Sequence, residues 1–321
     1  MSYYCPQLDG ADRMLREAVL KGFSDLFSRE MKDVAKEKVQ AELETIESQL
    51  SAPSYMVLYN ALQTTGAQTD DFCFRGTAAS ALVLFSLGLT NVNPLDPEVR
   101  LYSEFFFDIT GAKAPSFELN VSEDLHRKIF DYFDNYPGND HIEKKYDDHN
   151  QLIGVYVGEL SENYTRGEPY YDTFFINFIP IRDPESFGKG LMNDSIINSC
   201  KPQNLRDYVK CYGFKHSTGA WENNAEMLLN EGTPFDDLIA DREDVYEYML
   251  KSGMEKKMAF YIAESVRKGK IHRNGWSEEI TGALDKFKIP EWYRESCQRI
   301  RYLFPRAHAI SLLKCYCKGI V

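Results

Sequence analysis

The chain has 321 residues, of which 43% are hydrophobic and 13% aromatic, enough apolar material for two or three folded domains. No uninterrupted apolar run of about eighteen residues occurs, and the N-terminus MSYYCPQLDG lacks the features of a signal peptide, so we expect a soluble, cytoplasmic protein without a membrane partner. The net charge of -12 excludes attraction to nucleic acid through overall charge alone.

The charge is unevenly distributed along the chain. Residues 1–199 carry 17 Lys and Arg against 32 Asp and Glu, whereas residues 200–321 carry 20 against 17. Binding to phosphates requires Lys and Arg gathered on one surface. We therefore expect any contact with nucleic acid to come from the C-terminal part.

The first half of the chain predicts helices followed by strands. Apolar residues recur at three to four positions over 11–50, a pattern that Pro53 ends. A glycine-containing loop then leads into a buried helix over 74–90, and strands are predicted at 101–109 and 115–121. In the second of these strands apolar and polar residues alternate, which indicates one face in the core and one face available to a site.

Residues 126–199 form an acidic, tyrosine-rich segment in which we expect short strands. Beyond residue 200 the pattern becomes helical, in short units ended by glycines. VYEYMLKSG predicts one helix, and EKKMAFYIAESVRKGK predicts a second helix that ends in a basic turn.

The seven cysteines are scattered and are expected to be reduced thiols. Cys315 and Cys317 could supply half of a metal site, but the sequence offers no second half.

Five segments, in order, resemble the bacterial C-family replicative DNA polymerases of the PolC type. They are CPQLDGADRMLREAVLKGFSDLF with EKVQAELETIES, FRGTAASALVLFSLGLTNVNPL, APSFELNV, the run from KPQNLRDYVKCYGFKHSTGAWENNAEMLL through DDLIADREDVYEYMLKSGMEKKMAFYIAESVRKGK, and IPEWYRESCQRIRYLFPRAHAISLL. The resemblance implies an α+β fold, with a palm-like mixed domain over 1–199 that includes the divergent segment 126–199, and an all-helical, fingers-like domain over 200–321.

The strand APSFELNV occupies the place of the strand that carries two catalytic aspartates in this family. Here the pair reads Ser116 and Glu118. A nucleotidyl-transfer palm needs carboxylates to hold two hard cations such as Mg²⁺, and a serine hydroxyl brings no charge. We therefore expect impaired catalysis, with Glu118 as the remaining metal ligand and Mg²⁺ as the cofactor of any active form.

The same resemblance implies contacts with nucleotide or phosphate at two places. In the palm loop Thr77 and Ala79 replace the family's serine and glycine. The residues implied are Arg75, Gly76, Thr77, Ser80, Arg267, Lys268, Lys270, Arg306 and His308. From composition alone, the loop that contains Arg75 to Ser80 is equally a closely packed helix start. The cations Arg267, Lys268 and Lys270 are then a solvated helix end. A second basic and aromatic group is suited to phosphate contact and base stacking: Arg299, Arg301, Tyr302, Phe304, Arg306 and His308. Phe304 could equally lie in the core, and a histidine such as His308 is more often packed than catalytic.

Three functional hypotheses follow. The first is an impaired PolC-like protein that binds DNA, nucleotide or replication proteins. The second is an active nucleotidyltransferase whose metal site is rebuilt from Glu118 with Asp147, Asp148 and Glu159. The third is a protein-interaction scaffold that binds no nucleic acid.

Overall fold

The computed structural model describes residues 8–26, 32–107, 117–136, 142–146, 152–157, 174–192 and 194–317. The chain divides into two compact units. The first is Met1–Gly188 with Lys314–Tyr316, and the second is Lys189–Leu313 with Cys317–Val321. The sequence predicts a division slightly later, after residue 199.

The first unit combines helices with a sheet, as expected for an α+β protein. Its helices are α1 (Ala11–Leu26), α2 (Lys32–Ser48), α3 (Ala52–Thr64), α4 (Leu82–Ser86), α5 (Glu104–Phe107) and α6 (Glu123–Asp134), while α7 (Pro184–Met192) begins in this unit. Its strands are β1 (Phe72–Phe74), β2 (Phe117–Ser122), β3 (Ile142–Tyr146), β4 (Leu152–Val157) and β5 (Phe174–Ile181).

These strands form one mixed sheet in the order β1-β2-β5-β4-β3. β2 pairs with β1 in antiparallel and with β5 in parallel, so Glu118 lies opposite Asn177. β4 pairs in antiparallel with both β5 and β3. The strand predicted at 115–121 is confirmed from Phe117 onward, and it has neighbours on both sides.

One face of β2 belongs to an aromatic core. The ring of Phe117 lies 5.1 Å from that of Tyr55 on α3, 5.9 Å from Phe74 on β1 and 5.9 Å from Phe106 on α5. Leu119 and Val121 are buried on the same face, as the alternation predicts. The other face of the strand is thereby left for polar residues.

The strand predicted at 101–109 is wrong over the described residues. Residues 104–107 form the single turn of α5, and Phe105, Phe106 and Phe107 are all buried. A strand places successive side chains on opposite faces, whereas a tight turn can bury three consecutive rings in a pocket between elements. Residues 108 and 109 lie outside the described part.

The short strands expected over 126–199 are found as β3, β4 and β5, but the segment also contains helices. α6 continues to Asp134, and Ser122 caps its start by accepting a hydrogen bond from the Leu125 N–H at 3.2 Å.

Apart from two isolated β-bridges, the regular elements in the described residues of the second unit are all helices. Its helices are the end of α7, α8 (Ser195–Cys200), α9 (Leu205–His216), α10 (Glu226–Asn230), α11 (Arg242–Lys251), α12 (Lys256–Arg267), α13 (Lys270–Asn274), α14 (Glu278–Lys286), α15 (Glu291–Arg299) and α16 (Arg306–Tyr316), whose last residues belong to the first unit. The two helices predicted from VYEYMLKSG and EKKMAFYIAESVRKGK are confirmed as α11 and α12.

Candidate functional site

Glu118 and Asn120 lie on the polar face of β2. Because they are two residues apart on a strand, their side chains point the same way. The Glu118 side chain is half exposed, whereas Asn120 is buried. Ser116, the other member of the predicted pair, lies outside the described residues.

Arg75 follows β1 and lies against this face. The main-chain N–H of Arg75 donates to the main-chain oxygen of Glu118 at 2.8 Å, which extends the β1–β2 pairing by one residue. Its Nε lies 3.5 Å from Glu118 Oε2, and its Nη1 donates to Asn120 Oδ1 at 3.4 Å. The guanidinium therefore neutralises the one carboxylate that the described part of β2 presents.

The loop after Arg75 turns through Gly76, whose φ of 64° is easily reached only without a side chain. Thr77 Oγ1 donates to the Phe105 oxygen at 3.3 Å, and Ser80 Oγ donates to the Thr77 oxygen at 2.7 Å. Both hydroxyl protons are directed at main-chain carbonyls, which holds the loop closed on itself. Phosphate binding by these residues stays a prediction.

The described residues do not fit a two-cation site. No group of three His, Cys, Asp or Glu side chains is placed to hold a metal in the part of the chain that the structure describes. Asn177 Oδ1, on the strand next to Glu118, is buried and meets no donor among the described residues, but an amide oxygen brings no charge. Asp147, Asp148 and Glu159, the carboxylates of the rearranged-site hypothesis, lie outside the described residues.

In the second unit the structure brings together two basic segments that the sequence treats separately. The Leu303 N–H donates to the Arg267 oxygen at 3.2 Å, and His272 Nδ1 lies 2.9 Å from the Gln298 oxygen. Gly269 (φ 62°) packs so closely on Arg301 that a β-carbon there would lie 2.4 Å from the Arg301 oxygen. The turn after α12 and the segment after α15 are therefore neighbours.

This arrangement gathers cations on one surface. We call the set Lys268, Lys270, Arg273, Arg299 and Arg301 the basic patch. Lys268, Lys270, Arg273 and Arg301 are exposed, and Arg299 is partly exposed. Tyr302, beside the patch, is 38% exposed. Charges on one accessible surface, next to an aromatic ring, form the pattern that phosphates and bases require.

Arg267 contributes to the fold beneath this patch. It makes two hydrogen bonds to Glu264, at 2.8 and 3.0 Å, and Lys268 and Arg242 contact the same carboxylate at 2.9 Å. Burial opposes the charged form of Glu264, but the hydrogen bonds and charges of these cations prevail and lower its pKa. Arg267 is therefore already paired, and a phosphate would have to compete with Glu264.

Arg306 and His308 are both buried, at 5% exposure. The Arg306 guanidinium bonds Asp241, Asp244 and Glu247, and its N–H donates to Glu243. The His308 ring stacks on Phe304 at 4.7 Å. In this conformation both side chains support the interior of the second unit, and their implied contact with nucleotide stays a prediction.

The two C-terminal cysteines are also buried. The Cys315 Sγ lies 3.6 Å from the main-chain oxygen of Asp70 and 3.7 Å from that of Phe72, which are alternative acceptors for its one proton, and it lies beside the Cys73 thiol. Neither Cys315 nor Cys317 belongs to a metal-ligating group within the described residues.

Comparison with known proteins identifies relatives for part of the chain. Residues 13–146 match the family described as the bacterial DNA polymerase III alpha NTPase domain. The DNA polymerase III PolC-type protein of Thermotoga petrophila is 39% identical over 126 residues, 39% of this chain and 9% of that protein. The PolC-type protein of Clostridium perfringens is 38% identical over 126 residues and 8% of its length, and that of Staphylococcus aureus is 37% identical over 124 residues and 8%.

Over residues 13–146 the chain is therefore similar to the PolC-type DNA polymerase III proteins. The aligned part is about a tenth of each relative or less, so what the complete relatives do is not thereby assigned to this chain. Within the described residues, no helix combines the length and apolar character that crossing a membrane requires.

Two polar residues of this site were missed in the sequence. Asn120 could have been found, since it lies two residues beyond Glu118 on an alternating strand. Asn177 could not, because its position depends on a parallel pairing between segments more than fifty residues apart.

Proposed function

We propose that this chain is a catalytically impaired PolC-like protein that binds DNA or nucleotide through the basic patch of its second unit. The observation that carries the proposal is the Arg75 guanidinium 3.5 Å from Glu118, on the strand where the resemblance places the metal-binding pair. DNA is a reasonable partner because the relatives are DNA polymerases, and replication proteins are the second class of partner.

Impaired catalysis follows from charge. Two hard cations need several carboxylate oxygens, and Mg²⁺ tolerates little departure from octahedral geometry. β2 offers Glu118 beside a fixed cation, and its neighbour Ser116 is neutral. Loss of one charge-stabilising group costs about a hundred- to a thousand-fold in rate. The neutral Ser116 is one such loss, and the Arg75 cation beside Glu118 weakens metal binding further.

Binding does not require those carboxylates. The basic patch lies in the second unit, where it is held by helices α12, α13 and α15 and by main-chain hydrogen bonds. Exposed Lys and Arg side chains on such a support contact phosphates without a metal. The chain is therefore expected to bind nucleic acid even when it cannot extend it.

Primer extension on a primer-template duplex, with Mg²⁺ and separately with Mn²⁺, tests the catalytic half of the proposal. We expect no template-dependent extension. Extension that disappears in Glu118→Gln would overturn impaired catalysis and support the rearranged metal site. The glutamine keeps the size of the side chain and removes only the charge, so it is a matched variant.

Fluorescence anisotropy of labelled primer-template DNA over a range of salt concentrations tests the binding half. We expect affinity that falls steeply as salt is added, because neutralising phosphates releases counterions. No binding at low salt, for a chain shown to be folded by circular dichroism, would leave only the scaffold hypothesis.

A further inference from the structure

Helices α8 and α9 form an antiparallel hairpin at the start of the second unit. Lys201, directly after α8, adopts a left-handed conformation (φ 51°) that turns the chain. Asp194 caps α8, and its carboxylate lies 3.1 Å from Lys215 Nζ in the last turn of α9. The start of one helix therefore lies beside the end of the other.

Two cysteines face each other across this hairpin. Cys200 is the last residue of α8, and Cys211 lies in the middle of α9. The two thiols lie close enough for each to shift the pKa of the other. Cys200 comes six residues after Asp194 and Cys211 four residues before Lys215, so the thiol contact and the ion pair fit one antiparallel pairing of the helices.

The two thiols differ in access to solvent. Cys200 is partly exposed, whereas Cys211 is buried. The hydrogen bond from Cys211 lowers the pKa of the Cys200 thiol, against opposing effects of burial and of the Asp207 charge. The same bond, followed by burial, raises the pKa of Cys211. An accessible sulfur beside a buried thiol is the arrangement of an attacking and a resolving cysteine.

A second thiol pair in the first unit provides an internal comparison. Cys73 and Cys315 are also hydrogen-bonded, but both are buried, with 6% and 7% exposure. The hydrogen bond with Cys315 and burial raise the pKa of Cys73 well above its usual range. An oxidant in water reaches this pair less readily than Cys200.

We propose that Cys200 and Cys211 are a peroxide-sensitive pair that closes a disulfide between α8 and α9. The Cys200 thiolate attacks one oxygen of hydrogen peroxide, the O–O bond breaks, and the hydroxide that leaves takes up a proton to become water. Cys200 is now a sulfenic acid, oxidised by two electrons. The Cys211 sulfur then attacks the Cys200 sulfur, the S–O bond breaks, and the hydroxide leaves with the Cys211 proton as a second water.

The test uses the full reduced chain, exposed to increasing hydrogen peroxide, with remaining thiols then alkylated and the peptides mapped by mass spectrometry. We expect a Cys200–Cys211 cross-linked peptide to form at lower peroxide than any Cys73–Cys315 cross-link. Dithiothreitol should reverse it. Retention of free, alkylatable Cys200 and Cys211 at peroxide concentrations that oxidise glutathione in the same tube would overturn the proposal.

Three variants separate the roles of the two thiols. Cys211→Ser should lose the cross-link and accumulate a Cys200 sulfenic acid that dimedone traps. Cys200→Ser should lose both the cross-link and the dimedone adduct. Cys297→Ser is the matched control, since Cys297 is buried in the same unit, and it should behave as the parent does. A dimedone adduct on Cys211 rather than Cys200, in variants whose circular dichroism matches the parent, contradicts the assignment.

Discussion

Arg75 and Glu118 form an ion pair across neighbouring strands, with Arg75 Nε 3.5 Å from Glu118 Oε2. The guanidinium also reaches Asn120, so it is held on the polar face of β2 from two sides. A cation fixed at this place repels a divalent metal. The pair itself is partly exposed and stabilises the fold by at most about 1 kcal/mol. Arg75 and Glu118 can therefore be substituted without unfolding the protein.

The first prediction restores two carboxylates, at positions 116 and 118. In Ser116→Asp with Glu118→Asp, we expect Mn²⁺ to bind more tightly than to the parent, on the order of tenfold, because ligand charge sets the affinity of hard-cation sites. Adding Arg75→Met should increase the affinity again, since the competing cation is gone. Isothermal titration calorimetry measures this. Equal Mn²⁺ binding by the parent and the double variant would show that β2 is not the metal-binding strand.

The second prediction concerns the basic patch. Lys268→Glu with Lys270→Glu should abolish or strongly weaken DNA binding, and should reduce the slope of log affinity against log salt by about 2, one unit for each lost phosphate contact. Anisotropy over a salt series measures the slope. Both side chains are exposed, but Lys268→Glu also places a carboxylate beside Glu264, which Lys268 contacts at 2.9 Å. The melting temperature should therefore fall, and circular dichroism at the assay temperature checks that the variant is folded.

The chain offers a matched control for this charge reversal. Lys256 and Lys257 are exposed at the other end of α12, and acidic residues are well tolerated at a helix N-terminus. Lys256→Glu with Lys257→Glu changes the net charge equally and should leave the salt slope near that of the parent. An equal loss of affinity in both double variants would mean that net charge, not the patch, governs binding.

The third prediction tests Arg306 as a structural residue. Arg306→Met leaves Asp241, Asp244 and Glu247 without their shared cation, so unfolding should become easier by about 3–5 kcal/mol. Urea denaturation followed by circular dichroism measures the change. Arg301→Met makes the same substitution at an exposed site and should stay within about 0.5 kcal/mol of the parent. If both variants lower the free energy of unfolding only slightly, Arg306 does not stabilise the fold through these three acids.

The fourth prediction uses Glu42, which is buried on α2 and accepts the Val83 N–H at 2.9 Å. Burial raises the pKa of this carboxyl to about 6, although the Lys38 charge and the Val83 N–H oppose the shift. Because the pKa of Glu42 is higher in the folded state than in the unfolded state, folding is favoured most when the carboxyl is protonated. The stability that Glu42 contributes is fully present below about pH 4.5 and is lost as pH rises through about 6.

Glu42→Gln cannot ionise, so it should gain stability relative to the parent by about 2 kcal/mol between pH 4 and pH 8. Urea denaturation at several pH values gives this difference. Glu44→Gln makes the same substitution at an exposed position on the same helix and is measured in parallel as the control for the chemical change. A difference between Glu42→Gln and the parent that does not change with pH would contradict the raised pKa of Glu42.

The sequence predicted those parts of the fold that local pattern determines. β2, α11 and α12 each have a clear period, and each is found where it was expected. The basic turn after α12 was also predicted, because a glycine and a run of cations follow a helical pattern.

The remaining features depend on contacts between distant segments. The burial of Arg306 is set by acids on α11, about sixty residues earlier in the chain. A signal was present, since Asp241, Asp244 and Glu247 recur at three-residue spacing and so share a side of the helix. The sequence does not identify Arg306 as the cation that pairs with these three acids, because each arginine of the second half is an equally good candidate.

The first unit is built from two segments that are far apart in the sequence, which determines when it can finish folding during translation. That unit includes Lys314–Tyr316, which are synthesised only after Lys189–Leu313. During translation, β1 and its neighbours therefore wait for the Cys315 and Tyr316 side chains that contact Cys73. The second unit likewise includes Cys317, which follows Tyr316 in the chain, so the two units obtain their full sets of residues at nearly the same point of synthesis.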